Sequence, residues 1–184
     1  MVHVVQVRRD AARNQARILD VARDLVRSQG EAVSMDDIAA AAGLAVGTLY
    51  RHFPTKAALV EAIVGDTVAQ LADASADALA RVKAGEEAAG DALSALFRMV
   101  AARHASDEAV KQAAAALGAA DAFALPEADR AFTALVSLLK KAKKEGAVRK
   151  DLTVPDILAL VSGVPSDPAV RDKYVEIVLA GVRP

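Results

Sequence analysis

The chain has 184 residues, no cysteine and a formal net charge of −1 at pH 7, and 54% of its residues are apolar, alanine above all. This length allows one large or two small domains with an ample core. The absence of cysteine excludes a disulfide framework, a thiolate nucleophile and a cysteine-based metal site. The near-neutral charge predicts no partner by itself, and alanine, the strongest helix former, favours an all-α fold.

The charges are unevenly distributed along the chain. Of the 23 cationic and 24 anionic residues, eight cationic and six anionic ones lie up to residue 60. The first part therefore carries a net charge of +2 and the remainder −3. These signs are those expected of a DNA-binding head on a non-binding body, although random scatter explains a difference of this size equally well.

The first ten residues, MVHVVQVRRD, place an apolar run before two arginines. This order is the reverse of that in a secretory signal. No later stretch reaches the roughly 20 unbroken apolar residues of a membrane span. We therefore expect a cytoplasmic protein without a membrane partner, in which residues 1 to about 9 form a loose arm.

The first predicted helix runs from about residue 10 to residue 29, and two short helices follow at residues 34–42 and 45–53. Ser34 and Asp37 have the spacing of a capping box at the start of the first short helix. Gly43 offers the left-handed conformation that commonly ends a helix. The pattern predicts a helix-turn-helix, a motif whose second helix fits the major groove of DNA.

The second short helix combines an apolar inner face, formed by Leu49 and Phe53, with polar and aromatic tips. Thr48 and Tyr50 carry hydroxyls that suit phosphates or base edges, and apolar parts that suit thymine methyls. His52 can donate to a phosphate. The alternatives are that Tyr50 is a half-buried core residue and that His52 is merely exposed.

Lys56 begins the next predicted helix, where backbone N–H groups favour a phosphate. Gly47 allows a close approach of the backbone to DNA. The alternatives are that Lys56 is a solvated helix start and that Arg51 forms a structural salt bridge.

The rest of the chain is predicted to form six further helices, separated by turns that glycine and proline mark. Thr55 caps the first of them, Ser106 and Asp107 begin the third, and Thr153 with Asp156 forms a second capping box. In total we predict an all-α fold of about nine helices and no strand. The approximate bounds of the six are residues 56–82, 88–104, 106–118, 126–145, 154–163 and 168–179.

The segment GTLYRHF at residues 47–53, followed by PTK, resembles the signature of the TetR family of bacterial helix-turn-helix transcriptional repressors. SMDDIAAAAG, which precedes it, resembles the first helix of that family's motif, and the resemblance extends over residues 13 to 60. It implies a ligand-responsive repressor that binds a palindromic operator in double-stranded DNA as a homodimer and is released by a small-molecule effector. It also implies a helix-turn-helix domain at residues 1–55 and a helical effector-binding and dimerisation domain at residues 56–184.

The resemblance implies which residues contact DNA. The family often has a polar residue at the positions of Ala45 and Val46. Alanine cannot cap a helix through its side chain, so base recognition at this end rests on methyl contacts or on fewer residues. The implied DNA-facing residues are Ser34, Ala45, Val46, Gly47, Thr48, Tyr50, Arg51, His52 and Lys56.

In the body, the resemblance implies an effector pocket and a dimer interface. The pocket candidates are Phe97, Val100, His104, Leu117, Phe123, Phe132 and Val136. His104 is a titratable group on an otherwise apolar face, and the alternative is a structural histidine. The final two helices form a four-helix bundle with those of a partner chain in this family, and the alternative is that they complete the core. The interface candidates are Ile157, Leu158, Val161, Tyr174, Ile177 and Val178.

Two other classes of protein compete with this interpretation. An enzyme is disfavoured because the three histidines fall in separate predicted elements and no glycine-rich phosphate loop is present. We therefore predict no catalytic residue, no cofactor and no metal site. A helical module that binds small molecules or proteins but no specific DNA would equally explain the alanine-rich helices. The polar and aromatic surface around Tyr50 speaks against it.

Overall fold

The computed structural model describes the backbone of residues 2–118 and 125–184 and, within these, the side chains of residues 14–30, 32–103, 109–118 and 125–184. Every regular element in these residues is helical, which confirms the predicted all-α fold. Counting one short 3-10 turn at Gly30–Ala32, the described residues hold nine helical segments, the number predicted. The α-helices are α1 (Val2–Gln29), α2 (Met35–Ala41), α3 (Val46–His52), α4 (Lys56–Ala84), α5 (Ala89–Ala116), α6 (Pro126–Glu145), α7 (Val154–Ser162) and α8 (Pro168–Gly181).

The chain folds into two compact units. The head unit comprises the chain up to Asp66 and a second segment that begins at Ser106, and the body unit comprises Thr67–Ala105 and the C-terminal part of the chain up to Pro184. The long helices α4 and α5 therefore contribute to both units. Although they have 29 and 28 residues, neither they nor any other described helix is long and apolar enough to cross a membrane.

The head unit is built around large apolar side chains of α1 to α4. Helix α1 packs against α2, and α2 packs against α3. Burying an aliphatic side chain contributes about 1.5–3 kcal/mol to stability. The buried side chains of this unit therefore hold the short helices α2 and α3 in place. The side chains that are at most 1% exposed include Ile18, Ile38, Leu49, Leu59 and Ile63.

The body unit contains two apolar clusters. The first joins α4, α5 and α6 through residues such as Val82, Ala92 and Leu138, and the second joins α5 to α8 through Phe97 and Val178. A close approach occurs at the start of α5, where a Cβ atom on Gly90 would lie 2.5 Å from the Cβ of Ala147. Only glycine fits there without displacing its neighbour.

The predicted loose arm at residues 1 to about 9 is wrong, because α1 already begins at Val2. The segment contains neither proline nor glycine. Since these two residues are the strong helix breakers, nothing in its sequence stops the helix from extending towards the N-terminus.

The predicted break between two helices near Ser106 is also wrong, because α5 continues from Ala89 to Ala116. Serine and aspartate are frequent helix starts, which is why Ser106 and Asp107 suggest one. Each costs less than about 0.7 kcal/mol relative to alanine inside a helix, so the alanine-rich flanks carry the helix through them.

The helix ends of the body follow the predicted local chemistry. The Thr153 hydroxyl accepts from the Asp156 N–H at 3.3 Å, and the Thr153 N–H donates to the Asp156 carboxylate at 2.7 Å, which confirms the second capping box. Gly146 ends α6 with a φ of 71°. Asp167, whose carboxylate accepts from the N–H groups of the first turn of α8, is a cap that the sequence analysis missed.

Candidate nucleic-acid interface

Short-range hydrogen bonds shape α2 and the turn that leads to α3. At the start of α2, the Ser34 hydroxyl accepts from the Asp37 N–H at 3.1 Å, and the Ser34 N–H donates to the Asp37 carboxylate at 3.1 Å. At its end, Gly43 has a φ of 66°, and the Leu44 N–H donates to the Ala39 carbonyl at 2.9 Å. This is a Schellman ending. Both predicted signals, the capping box and the glycine, are confirmed.

Helix α3 has a buried side and an exposed side. Leu49 is fully buried, and Phe53, the residue after the helix, is 4% exposed. In contrast, Tyr50 and Val46 are 45% and 37% exposed. Tyr50 is therefore not a core residue, and α3 is anchored on one side while its other side faces solvent.

The exposed side of α3 also carries cationic and hydrogen-bonding groups. Arg51 and His52 are exposed, whereas Thr48 is half-buried. Arg51 makes no ion pair with the side chains that the structure describes. Its guanidinium can therefore meet a ligand without first breaking a salt bridge to a described residue. The His52 ring lies 6.3 Å from the Phe53 ring, measured between centroids.

The start of α3 lacks polar side chains, as predicted. Ala45 occupies the capping position and makes no side-chain hydrogen bond. Ala45, Val46 and Gly47 are all exposed. A Cβ atom added to Gly47 would meet nothing within 4 Å. Packing within the chain therefore does not require glycine at this position.

Ser34, which the family resemblance places among the DNA-facing residues, is exposed and caps α2, and its contact with DNA stays a prediction. Its hydroxyl and its backbone N–H both donate to the carboxylate of Asp37. These hydrogen bonds, that from the hydroxyl first, hold the pKa of Asp37 below its ordinary value. Both donors are thus engaged beside an ionised carboxylate, and Ser34 serves as the cap of α2.

Three residues separate the end of α3 at His52 from the start of α4 at Lys56. The Thr55 hydroxyl accepts from the Ala58 N–H at 3.0 Å, so Thr55 caps α4 as predicted. Lys56 is the first residue of this helix and is half-buried. A lysine beside the first turn of a long helix combines a cation with outward N–H groups, which favours a phosphate.

One residue of the head was missed by the sequence analysis. Arg23 of α1 is mostly buried, and its guanidinium pairs with Asp66 of α4 at 2.7 Å and with Asp20 at 3.2 Å. The pair ties α1 to the first part of α4. Because Arg23 and Asp66 are 43 residues apart in the chain, no local pattern indicates the contact.

Comparison with known families assigns the fold. The model described as "Bacterial regulatory proteins, tetR family" matches residues 18–63, which include α2 and α3. The model described as "Transcriptional regulator SbtR-like, C-terminal domain" matches residues 88–184, more than half of the chain. The chain belongs to the TetR family. It is a helix-turn-helix transcriptional regulator, as the motif around Tyr50 predicts.

Solved and curated TetR-type proteins resemble the chain to different extents. The TetR transcription regulatory protein from Mycobacterium vanbaalenii is 38% identical, with a TM-score of 0.78 over 97% of this chain and 99% of that one. The TetR regulator SCO0520 from Streptomyces coelicolor is 30% identical, with a TM-score of 0.76 over 92% and 98%. HTH-type transcriptional regulator SAR0097 from Staphylococcus aureus is 48% identical over 67 residues, and the match spans only 35% of either protein.

The residues predicted to line the TetR-type effector pocket differ in their exposure, and the pocket itself stays a prediction. Phe97 is buried in the cluster that joins α5 to α8, whereas Phe132 and Val136 are 50% and 41% exposed on α6. Val100 and Leu117 are half-buried. The side chain of His104 and the whole of Phe123 lie outside the described residues. Helical spacing alone identified apolar positions but not the side of the helix that the fold covers.

The predicted dimer surface is partly exposed. Ile177 and Leu158 are 62% and 44% exposed, and Ile157, Val161 and Tyr174 are half-buried. Val178 does not belong to this surface, because it is 9% exposed and packs in the core of its own chain. The Tyr174 hydroxyl donates to the Leu160 carbonyl at 2.8 Å, which ties α8 to α7.

Proposed function

We propose that this TetR-family regulator binds a palindromic operator in double-stranded DNA as a homodimer and represses transcription until a small-molecule effector releases it. The exposed side of α3, which carries Val46, Tyr50 and Arg51 opposite the buried Leu49, supports this proposal most strongly. An α-helix fits the major groove of B-DNA, where side chains reach the base edges. Such a protein acts in the cytoplasm, where bacterial DNA lies.

In this proposal the residues divide between phosphates and bases. Phosphate contacts position a protein on DNA, and base contacts give it sequence specificity. Arg51 and Val46 reach bases, and Ala45 and Gly47 permit a close approach. Ser34 contributes by fixing α2. The residues assigned to phosphates are Thr48, Tyr50, His52 and Lys56.

We assign residues 1–55 to DNA binding and residues 56–184 to effector binding and dimerisation. Two recognition helices on successive turns of DNA read a palindrome, so the operator requires a dimer. The exposed apolar side chains of Leu158 and Ile177 support a dimer surface on α7 and α8. Ile157, Val161 and Tyr174 border it.

A lysine in place of Ile177 tests this surface. Ile177→Lys would bury a charge between the subunits, which is strongly destabilising. We expect monomers in sedimentation experiments and a loss of operator affinity of at least about 100-fold, since two linked heads bind about 10²–10⁴ times more tightly than one. The matched control is Val136→Lys, which places a lysine at an exposed aliphatic residue of α6, outside the proposed surface on α7 and α8. If the Ile177→Lys protein stayed dimeric, α8 would not form part of the dimer interface.

Effector binding is proposed to shift the dimer between conformations that do and do not bind DNA. The few aromatic residues, 3% of the chain, favour an aliphatic ligand.

Sequencing of genomic fragments bound by the purified protein, at two salt concentrations, tests DNA recognition. We expect a palindromic site whose affinity falls steeply with salt, because phosphate contacts release counterions. Weak, sequence-independent binding at both concentrations would instead support a helical binding module without specific DNA recognition.

Two aromatic substitutions separate a failed interface from a failed fold. Tyr50→Ala should abolish operator binding and leave helicity and dimerisation intact. Phe132→Ala is the matched control, because Phe132 is an aromatic residue of similar exposure, 50% against 45%, in the body. Operator binding that survives Tyr50→Ala would show that α3 is not the recognition helix.

A further inference from the structure

The exposed side of α3 has an apolar stripe of its own. Val46 and Tyr50 are 37% and 45% exposed, and side chains four residues apart are neighbours on a helix surface. The exposed residues that flank Val46 are Ala45 and Gly47. Neither has a polar side-chain atom. Ala45, Val46 and Gly47 therefore offer a DNA base no side-chain hydrogen-bond donor or acceptor.

The internal packing of the chain covers only part of Val46. More than a third of Val46 is exposed, and it lies in a helix of only seven residues. Valine is a poorer helix former than alanine. The neighbouring Gly47 has open space where a Cβ atom would lie, so the backbone can approach a partner closely beside the valine methyls.

The major groove limits what such a surface can recognise. Guanine, adenine and cytosine display hydrogen-bonding groups but no methyl group there, whereas thymine adds an apolar C5 methyl. An apolar side chain pressed on donors or acceptors leaves them without partners, which weakens binding. A methyl–methyl contact has no such cost.

We propose that Val46, flanked by Tyr50, recognises the C5 methyl of a pyrimidine, namely thymine, in each half-site of the operator. The inference rests on the proposed binding of DNA through α3 and specifies what that helix reads. Because 5-methylcytosine carries the same methyl group at the same ring position, the shared chemistry is the methyl rather than the whole base.

The test begins with selection of a duplex from a random pool by the full-length protein. Each thymine of one half-site is then replaced singly by deoxyuridine, which removes only the methyl. We expect one or two positions to lose about fourfold in affinity, the factor for one buried methyl-sized group. Replacing the equivalent thymines of both half-sites should multiply the loss.

A substitution cycle identifies the side chain responsible. With Val46→Ala, the thymine-to-uracil ratio of affinities at the sensitive position should fall from about fourfold to near one, since the partner methyls are gone. Val170→Ala is the matched control, because it makes the same change at a more exposed position, 55% against 37%. It should keep the full ratio.

Cytosine and 5-methylcytosine in place of the sensitive thymine, paired with guanine, separate the methyl from the rest of the base. We expect 5-methylcytosine to bind better than cytosine by the same factor of about four. Equal affinity of the two would overturn the proposal, because the helix would then read another feature of thymine or the shape of the duplex.

Three further results would overturn the inference while leaving DNA recognition intact. These are a selected site without thymine under α3, uracil duplexes that all bind like the parent, and a thymine-to-uracil ratio that survives Val46→Ala. Failure of the proposed function looks different, because the random pool would then yield no enriched sequence. Whether the random pool yields an enriched sequence therefore separates the two kinds of failure.

Discussion

Gly47 and Gly90 are each the second residue of a helix, one in the head and one in the body. A Cβ atom on Gly90 would lie 2.5 Å from the Cβ of Ala147, whereas one on Gly47 would meet nothing within 4 Å. Packing within the body unit therefore requires glycine at position 90, whereas packing within the chain does not require glycine at position 47. Gly47 therefore leaves open space beside the backbone of α3, on the helix that carries the exposed Val46 and Tyr50.

The same contrast separates neighbouring residues of α3. Leu49 is fully buried and needs no partner outside the chain, whereas the adjacent Tyr50 is 45% exposed. Substitutions should therefore divide into those that change stability and those that change DNA binding. Four predictions follow from this division, in order of decreasing effect.

Leu49→Ala should lower the free energy of unfolding of the head by about 2–5 kcal/mol, the range for large-to-alanine changes in a core. Thermal denaturation followed by circular dichroism measures it. Leu138→Ala, at a fully buried position of the body, is the matched control and should cost a similar amount there. A loss below about 1 kcal/mol for Leu49→Ala would be typical of a surface position and would contradict its buried placement.

Gly90→Ala should lower stability by about 1–3 kcal/mol, because overpacking forces the neighbouring backbone to move. Denaturant titration gives the change. Ala147→Gly in the same protein should restore much of the loss by removing the opposing Cβ. Operator affinity at low temperature should stay at the parent value, and a protein as stable as the parent would show that the two segments separate easily.

Gly47→Ala should raise stability slightly, by up to about 1 kcal/mol, since alanine is the better helix former. It should nevertheless weaken operator binding by about tenfold or more, because the new methyl occupies space that DNA approaches. Melting temperature and a binding titration on the same sample give both values. Unchanged operator affinity would mean that the backbone of α3 stays away from DNA.

The smallest effect concerns the two capping boxes. Hydrogen bonds from Ser34 and from Thr153 hold the pKa values of Asp37 and Asp156, respectively, below the ordinary value. A lowered folded-state pKa stabilises the fold at pH values above the unfolded-state pKa, and this contribution disappears as the pH falls through the folded-state pKa. The carboxylate contacts of both boxes should therefore stabilise their units at neutral pH and lose this effect in acid, whereas the hydrogen bonds that the two hydroxyls accept remain.

Ser34→Ala and Thr153→Ala test this in the two units separately. Each variant should melt a few degrees below the parent at neutral pH, and the difference should narrow at a pH below about 4, where unperturbed aspartates take up protons. Melting curves at several pH values give the comparison. A difference that is the same in acid and at neutral pH would show that the carboxylates take no part. Of the two, only Ser34→Ala should also weaken operator binding.

The local structure of the chain was predictable from its amino-acid sequence. Both capping boxes, the glycine endings at Gly43 and Gly146 and the burial of Leu49 were predictable, since each depends on residues no more than about four positions apart. The helix-turn-helix and the TetR family followed from the same short segment. The exposure of Tyr50 followed too, because its neighbours already occupy the inner side.

Which apolar positions are covered, and which distant residues meet, depends on how the helices pack against each other. Val178 is buried and Phe132 is half exposed. The helical pattern had made Val178 a candidate for the dimer interface and Phe132 a candidate for the effector pocket. The contact of Arg23 with Asp66 and that of Gly90 with Ala147 join residues far apart in the chain. Helical periodicity defines the faces of a single helix, whereas burial depends on which other helices pack against each face.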